Sequence, residues 1–120
     1  MSDFSTYNVT LIEPWFSLIN IKKQTVYSRL NKDDFSKIKK NDVIIFQNDD
    51  FGFERKCKVK ITSVHNYDTF KEYLEKEKLD KCLPGIENIN EGCFLYNKYY
   101  KKELENKHKV IAFRLKKLKD

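Results

Sequence analysis

The stretch Glu13 to Leu30, EPWFSLINIKKQTVYSRL, runs a short amphipathic helix straight into a strand, and no other part of the chain constrains the fold as strongly. Pro14 suits the first helical position, where an N–H would have no partner in any case. Trp15, Leu18, Ile19 and Lys22 recur at the spacing of one helical face, which predicts a helix from about Pro14 to Ile21 with Trp15 anchoring it in the core. From Thr25 onward the residues are strand formers. Period-two alternation places Thr25, Tyr27 and Arg29 on one face and Val26, Ser28 and Leu30 on the other.

Downstream, NKDDFSKIKK offers capping residues and then a basic run, which predicts a brief helical turn. Val43 to Phe46 is continuously apolar, the pattern of a strand buried on both faces. QNDDFGFE supplies the Asn, Asp and Gly of a hairpin loop. The strand from Arg55 to about Val64 alternates most cleanly: Cys57, Val59 and Ile61 turn to the core while Lys56, Lys58 and Lys60 turn away. From Tyr67 the period becomes helical, with Asp68 placed to cap and Phe70, Tyr73 and Leu74 on one face. Leu79, Cys82 and Leu83 extend that surface to a turn at Pro84 and Gly85, and Ile89, Cys93, Tyr96 and Tyr100 form a second helical stripe. KKELENKHK reads as a charged turn or helix, and Val110 to Leu118 as a closing strand with Ile111, Phe113 and Leu115 on one side. Short strands and helices mixed in this order predict a small α+β barrel whose sheet closes on itself and leaves no exposed edge.

A chain of 120 residues has room for one core, so residues 1–120 are read as a single domain. An apolar fraction of 40% and an aromatic fraction of 14% suffice for a packed interior and weigh against disorder, while 35% charged residues imply a heavily solvated surface. No apolar run approaches the ~20 residues that cross a bilayer, and MSDFSTYN lacks the basic-then-apolar order of a secretion signal. The expectation is a soluble intracellular protein, cytoplasmic or nuclear, with no membrane partner. Cys57, Cys82 and Cys93 are odd in number and widely spaced, so no disulfide framework is expected, and Cys57 and Cys93 read as small core residues.

His65 and His108 lie far apart and away from cysteine or acid at zinc-ligand spacing. Neither a metal nor another cofactor is expected, and both histidines read as turn residues. Gly52, Gly85 and Gly92 make no phosphate cradle, which weighs against hydrolysis of nucleoside triphosphates. A net charge of +6 attracts a polyanion where it is clustered and is mere solvated surface where it is spread. Lys56, Lys58 and Lys60 make a ladder with steps of about 7 Å, near the spacing of successive phosphates, or else an ordinary wet strand face or a protected edge. Arg29, unlike the lysines, can fork onto a phosphate or a base edge. Among Trp15, Tyr27, Tyr96, Tyr99 and Tyr100 are rings able to stack on an unpaired base, a contact worth ~1–3 kcal/mol. Trp15 and Tyr96 fall on apolar stripes and read as core. Tyr27, beside Arg29, is the stacking candidate, or a plug that closes the cleft.

EPWFSLI, the strand start KKQTVYSRL, NDVIIF, the lysine-alternating strand, and LPG followed by EGCFLYNKYY together resemble the ASCH domain family, a branch of the PUA-like superfamily, from about Glu13 to Leu115. The resemblance implies a PUA-like β-barrel flanked by short helices, with a cleft between barrel and first helix that takes RNA or a nucleotide. The family's opening motif is G-x-K-x-x-E-x-R. Aligned on Arg29, it places Lys22 at the glycine, Gln24 at the lysine and Tyr27 at the acid. Some members are amidohydrolases acting on N4-acetylcytidine, with chemistry attributed to a lysine and a threonine of this motif and a distant glutamate. Gln24 cannot titrate, so that chemistry does not carry over residue by residue. The reading that results is a non-catalytic RNA- or nucleotide-binding module. In it Arg29 contacts phosphate or a base edge, Tyr27 stacks, Gln24 and Thr25 stand beside them, and Lys22, Lys23, Lys56, Lys58 and Lys60 supply attraction. The alternatives are a small amidohydrolase or nuclease acting on a modified pyrimidine nucleoside or RNA, with Thr25, Lys23 and Glu13 in altered roles, and an adaptor that binds protein partners through its tyrosine-rich helix.

Overall fold

A computed structural model describes residues 4–119. Strands β1 (Thr6–Thr10), β2 (Val26–Leu30), β3 (Val43–Asn48), β4 (Arg55–Tyr67) and β5 (Val110–Lys117) form one sheet in the order β1-β3-β4-β5-β2. β1 runs parallel to β3, and the other pairings are antiparallel. Five short helices accompany the sheet: α1 (Trp15–Asn20), α2 (Phe70–Glu77), α3 (Leu79–Cys82), α4 (Ile89–Tyr99) and α5 (Lys102–His108). The turn anticipated in NKDDFSKIKK is a 3-10 helix over Asp33–Lys37.

The sheet curls into a half-barrel. β2 and β3 stand three places apart in strand order, about 14 Å in a flat sheet, yet the Tyr27 and Phe46 rings meet edge-on with centroids 4.9 Å apart. Ile44, Phe46, Cys57, Val59 and Ile61 fill the concave side, and α1 plugs it with Phe16 and Ile19. Full closure does not occur among the described residues. β1 and β2 remain the sheet's edges, with the interior filled by α1 instead of by further strands. On the outer side of β2 and β5, Val26, Leu30, Val110 and Ala112 pack against Phe70, Tyr73, Leu74 and Cys82 from α2 and α3, forming a second core.

This division explains several departures from the sequence reading. β3 alternates, with Ile44, Phe46 and Asn48 buried and Val43, Ile45 and Gln47 only half-buried, because the helical layer covers β2 and β5 and leaves β3 bare on one side. Trp15 is half-buried where the two cores meet, and Phe16 and Ile19 anchor α1 in its place. β4 continues through His65 to Tyr67, so His65 is a strand residue. The α2 cap is Thr69, not Asp68: its side-chain oxygen accepts from the Glu72 N–H at 3.1 Å. Cys82 is fully buried with Cys57, whereas Cys93 is half-buried. β1 had no expectation attached to it; its burial alternates, with Tyr7 half-buried and Val9 buried between exposed Thr6, Asn8 and Thr10. Among the described residues, no helix is long and apolar enough to cross a membrane.

Candidate functional site

A cavity of about 360 Å³ opens where the two cores meet, between the end of β1, the start of α1, β2 and the last turn of α4. Its size falls within the ~300–1,000 Å³ usual for small-molecule sites. One wall is the turn Thr10–Ile12 with Trp15. A polar cluster braces this turn: the Asn48 amide donates to the Leu11 carbonyl at 2.9 Å, and Arg55 joins Glu13 at 2.7 Å to Asn48 at 2.6 Å. Glu13 also accepts from the Ser17 N–H and hydroxyl. Burial pushes the Glu13 carboxyl up, but the Ser17 and Arg55 bonds outweigh it and hold it below its ordinary range.

Opposite stands the polar wall of β2. Arg29 is half-buried, its Nη1 donating to the Tyr27 hydroxyl at 3.1 Å and its guanidinium lying 4.2 Å from the Phe35 ring centre. No described carboxylate forms an ion pair with it. Burial opposes its charge, yet the Tyr27 and Tyr100 hydroxyls more than compensate and raise its pKa further. The arginine is therefore a fixed cation with donors to spare. Burial pushes the Tyr27 phenol up to about 12, so it stays protonated. The Tyr27 ring is 7% exposed and set edge-on to Phe46, which leaves no open face for a base; its contribution to the cavity is the hydroxyl that steadies Arg29.

The third wall comes from α4. Tyr96 stacks on Phe70 with centroids 4.2 Å apart and accepts from the Ser28 hydroxyl at 3.2 Å, while Tyr100 lies on the same Phe70 at 5.4 Å. These rings are braced from behind and line the cavity together with the exposed Tyr99. Gln24 closes the floor. It is 5% exposed, its Nε2 donates to the Val26 carbonyl at 3.0 Å, and its Oε1 has no hydrogen-bond partner among the described residues.

The structure brings Gln24, Tyr27 and Arg29 to this cavity and distributes the other anticipated residues elsewhere. Lys22 and Thr25 line a second cavity, which shares Gln24 with the first. Lys23 is exposed and lines neither of these cavities. Lys56, Lys58 and Lys60 stand on the convex face of β4, a central strand and not an edge, and they too line neither of them. Lys56 is paired with Glu54 at 3.2 Å. Sequence reasoning passed over Thr10–Ile12, Ser28 and Leu95, and it assigned Trp15 and Tyr96 to the core. The density of aromatic residues in EGCFLYNKYY was the available signal for the α4 wall.

Among the described residues no nucleophilic or metal constellation forms around this cavity. The Ser63 hydroxyl and His65 Nε2 lie 2.9 Å apart on β4, but neither residue lines either cavity. The nearby Glu77 carboxylate is held by Tyr67 and Arg114. Among the described residues no group of His, Cys, Asp and Glu is placed to hold a metal ion.

The chain matches the ASCH domain family over residues 9–119. No curated protein matches it. Of solved structures, the crystal structure of hypothetical protein PH0355 is 34% identical with a TM-score of 0.84, covering 94% of this chain and 99% of its own. The solution structure of protein PF0455 from Pyrococcus furiosus is 33% identical with a TM-score of 0.77, covering 96% of this chain and 99% of its own. With the family match running from β1 through β5 and both structural relatives covered nearly end to end, the chain belongs to the ASCH domain family.

Proposed function

We propose that this protein is a binding module for an unpaired nucleotide, free or within RNA, and that the cavity beside Arg29 receives it. The observation that carries the reading is Arg29 itself: a guanidinium free of carboxylates on the wall of an aromatic cavity. A base can lie against the rings of Trp15, Tyr99 or Tyr100 while its phosphate or an acceptor on its edge takes the arginine's free N–H groups. This moves stacking from Tyr27, where the sequence had put it, to the α4 wall.

The lining chemistry favours binding over catalysis. Among the described residues no carboxylate, imidazole, thiol or amine lines the cavity, and burial keeps the Tyr27 phenol protonated. General acid–base work needs a group that titrates near the operating pH. Glu13, the acid of the hydrolase alternative, is committed to Arg55 and Ser17.

Trp15 is the protein's one tryptophan and lines the cavity, so its fluorescence reports occupancy directly. Titration with each of the four ribonucleoside monophosphates is expected to give saturable quenching. Arg29→Ala is expected to weaken it about 10- to 100-fold, the loss of a charge-assisted hydrogen bond worth ~1.5–3 kcal/mol. A Trp15 signal indifferent to all four, or an unchanged affinity in the variant, refutes this reading.

A further inference from the structure

The cavity beside Arg29 has two strongly basic neighbours, each sharing a lining residue with the one before it. Gln24 lines both the aromatic cavity and a second one of about 260 Å³, and Thr25 lines both the second and a third of about 310 Å³. The backbone shows why these spaces adjoin. Thr25 donates its N–H to the Lys81 carbonyl at 3.1 Å and accepts from the Leu115 N–H at 2.9 Å, which pins α3 to one side of it and the end of β5 to the other. Lys22, Lys116 and Lys117 border the second cavity. Lys76, Lys78, Lys81 and Arg114 border the third. Among the described residues Glu77 is the only carboxylate lining either, and Arg114 neutralises it at 2.9 Å. None of the six lysines forms an ion pair with a described residue.

We infer that these two basic cavities carry the phosphodiester backbone of a single-stranded nucleic acid whose base occupies the aromatic cavity, so that the ligand is a strand several nucleotides long. The inference rests on the function proposed above and extends it. A small anion needs one converging cluster of donors, whereas here lysines are spread over two cavities that follow one another from the base site. That is the layout of a charged track joined to a stacking platform. Lysines that release counterions from successive phosphates supply affinity without reading sequence. RNA and single-stranded DNA share this backbone.

The full chain is titrated with labelled single strands of about eight nucleotides, as RNA and as DNA of the same sequence, across a salt series. Lys76→Gln, Lys81→Gln and Lys116→Gln are combined in one variant, since these exposed side chains sit at ordinary backbone angles, unlike Lys22 and Lys78 with φ of 67° and 81°. Lys56→Gln, Lys58→Gln and Lys60→Gln are combined in a second variant with the same change in charge. The track variant is expected to bind at least one of the two strands about tenfold or more weaker, with the slope of log affinity against log salt reduced by about 2. The β4 variant is expected to match the parent. Equal losses in both variants, no loss in the track variant, or no binding of either strand overturns the track. The two proposals fail separately. If monophosphates quench Trp15 but strand binding ignores the track lysines, the track is wrong and the base site stands. If strands bind through the track but no monophosphate quenches, the base site is wrong and the track stands.

Discussion

Charged side chains in this protein divide into those locked by partners and those left open, and Glu77 shows the locked kind most clearly. It is 4% exposed, with Arg114 Nε at 2.9 Å, Arg114 Nη2 at 3.3 Å and the Tyr67 hydroxyl donating to it as well. Burial alone would push its carboxyl up, but the Arg114 and Tyr67 bonds win, and its pKa lies below the ordinary value. On the Tyr67 side, burial and the bond to Glu77 push the phenol up to about 12. Because the Glu77 pKa is lower in the folded than in the unfolded chain, its stabilising effect is complete above the unfolded value of ~4.3 and fades as pH falls through the folded one. Glu77→Gln is expected to cost about 1–3 kcal/mol at pH 7, with the exposed half of Arg114 keeping the cost from being larger. Urea titrations at pH 7 and pH 3 check this: the gap between variant and parent should shrink at the lower pH, and a gap that stays constant contradicts the assignment. Tyr27 represents a gentler dependence. Tyr27→Phe keeps the ring against Phe46 and removes only the acceptor that steadies Arg29, so nucleotide affinity should fall several-fold and less than in Arg29→Ala, with the thermal midpoint little changed. A loss equal to that of Arg29→Ala would mean the hydroxyl contacts the ligand directly.

Among the elements, α4 matters most to the site, because it carries Tyr96 and Tyr99 to the cavity while lying tightly on α2 and α3. Gly92 permits that approach. A Cβ there would stand 2.8 Å from Leu74 Cδ1 and 3.1 Å from Leu83 Cδ1, and both leucines are buried with little room to turn. Alanine gains ~1 kcal/mol of helix propensity but overpacks the contact by ~1–3 kcal/mol. Gly92→Ala is thus expected to lose about 1 kcal/mol in chemical denaturation and to weaken quenching of Trp15, because α4 must shift outward; a stabilised variant would show that the leucines repack freely. The legibility of elements followed the same physics of burial. The alternation in β4 and the apolar face of α2 were readable because each has one buried side over several residues. α1, six residues long, was too short for its pattern to decide between Trp15 and Phe16 as the anchor. β1 was passed over although Tyr7 and Val9 alternate with Thr6, Asn8 and Thr10, because five residues with a single fully buried side chain make that period faint. Arg29 could be placed on a strand face from sequence, but its aromatic surroundings come from α4, some 70 positions along the chain, and only the tertiary fold sets them beside it.

The whole molecule holds a curled sheet open at both edges, and its resistance to fraying is correspondingly uneven. β1 has one neighbour, β3, while β4 and β5 are paired on both sides. The N-terminal end of β1 is fastened by Asp42, which is fully buried, accepts from the Ser5 N–H at 2.8 Å and the Lys39 N–H at 2.9 Å, and sits 3.4 Å from the Lys39 ammonium. Through its own carbonyl, Asp42 also accepts from the Ile61 N–H at 2.8 Å, so one residue joins β1, the turn before β3, and β4. Asp42→Ala strands two N–H groups at the start of the sheet and is expected to cost about 2–4 kcal/mol. The loss should be local before it is global, since the broken contacts lie beside an edge strand with a single neighbour. Amide hydrogen exchange is therefore expected to accelerate at Tyr7–Thr10 well before it does at Val59 or Phe113. Because Thr10–Ile12 walls the cavity beside Arg29, occupancy by a monophosphate should, on the proposed function, slow exchange in β1 and couple this edge strand to the site. Exchange that rises evenly across all five strands in Asp42→Ala would show that the half-barrel opens as one cooperative unit, with no separate weak edge for a ligand to hold shut.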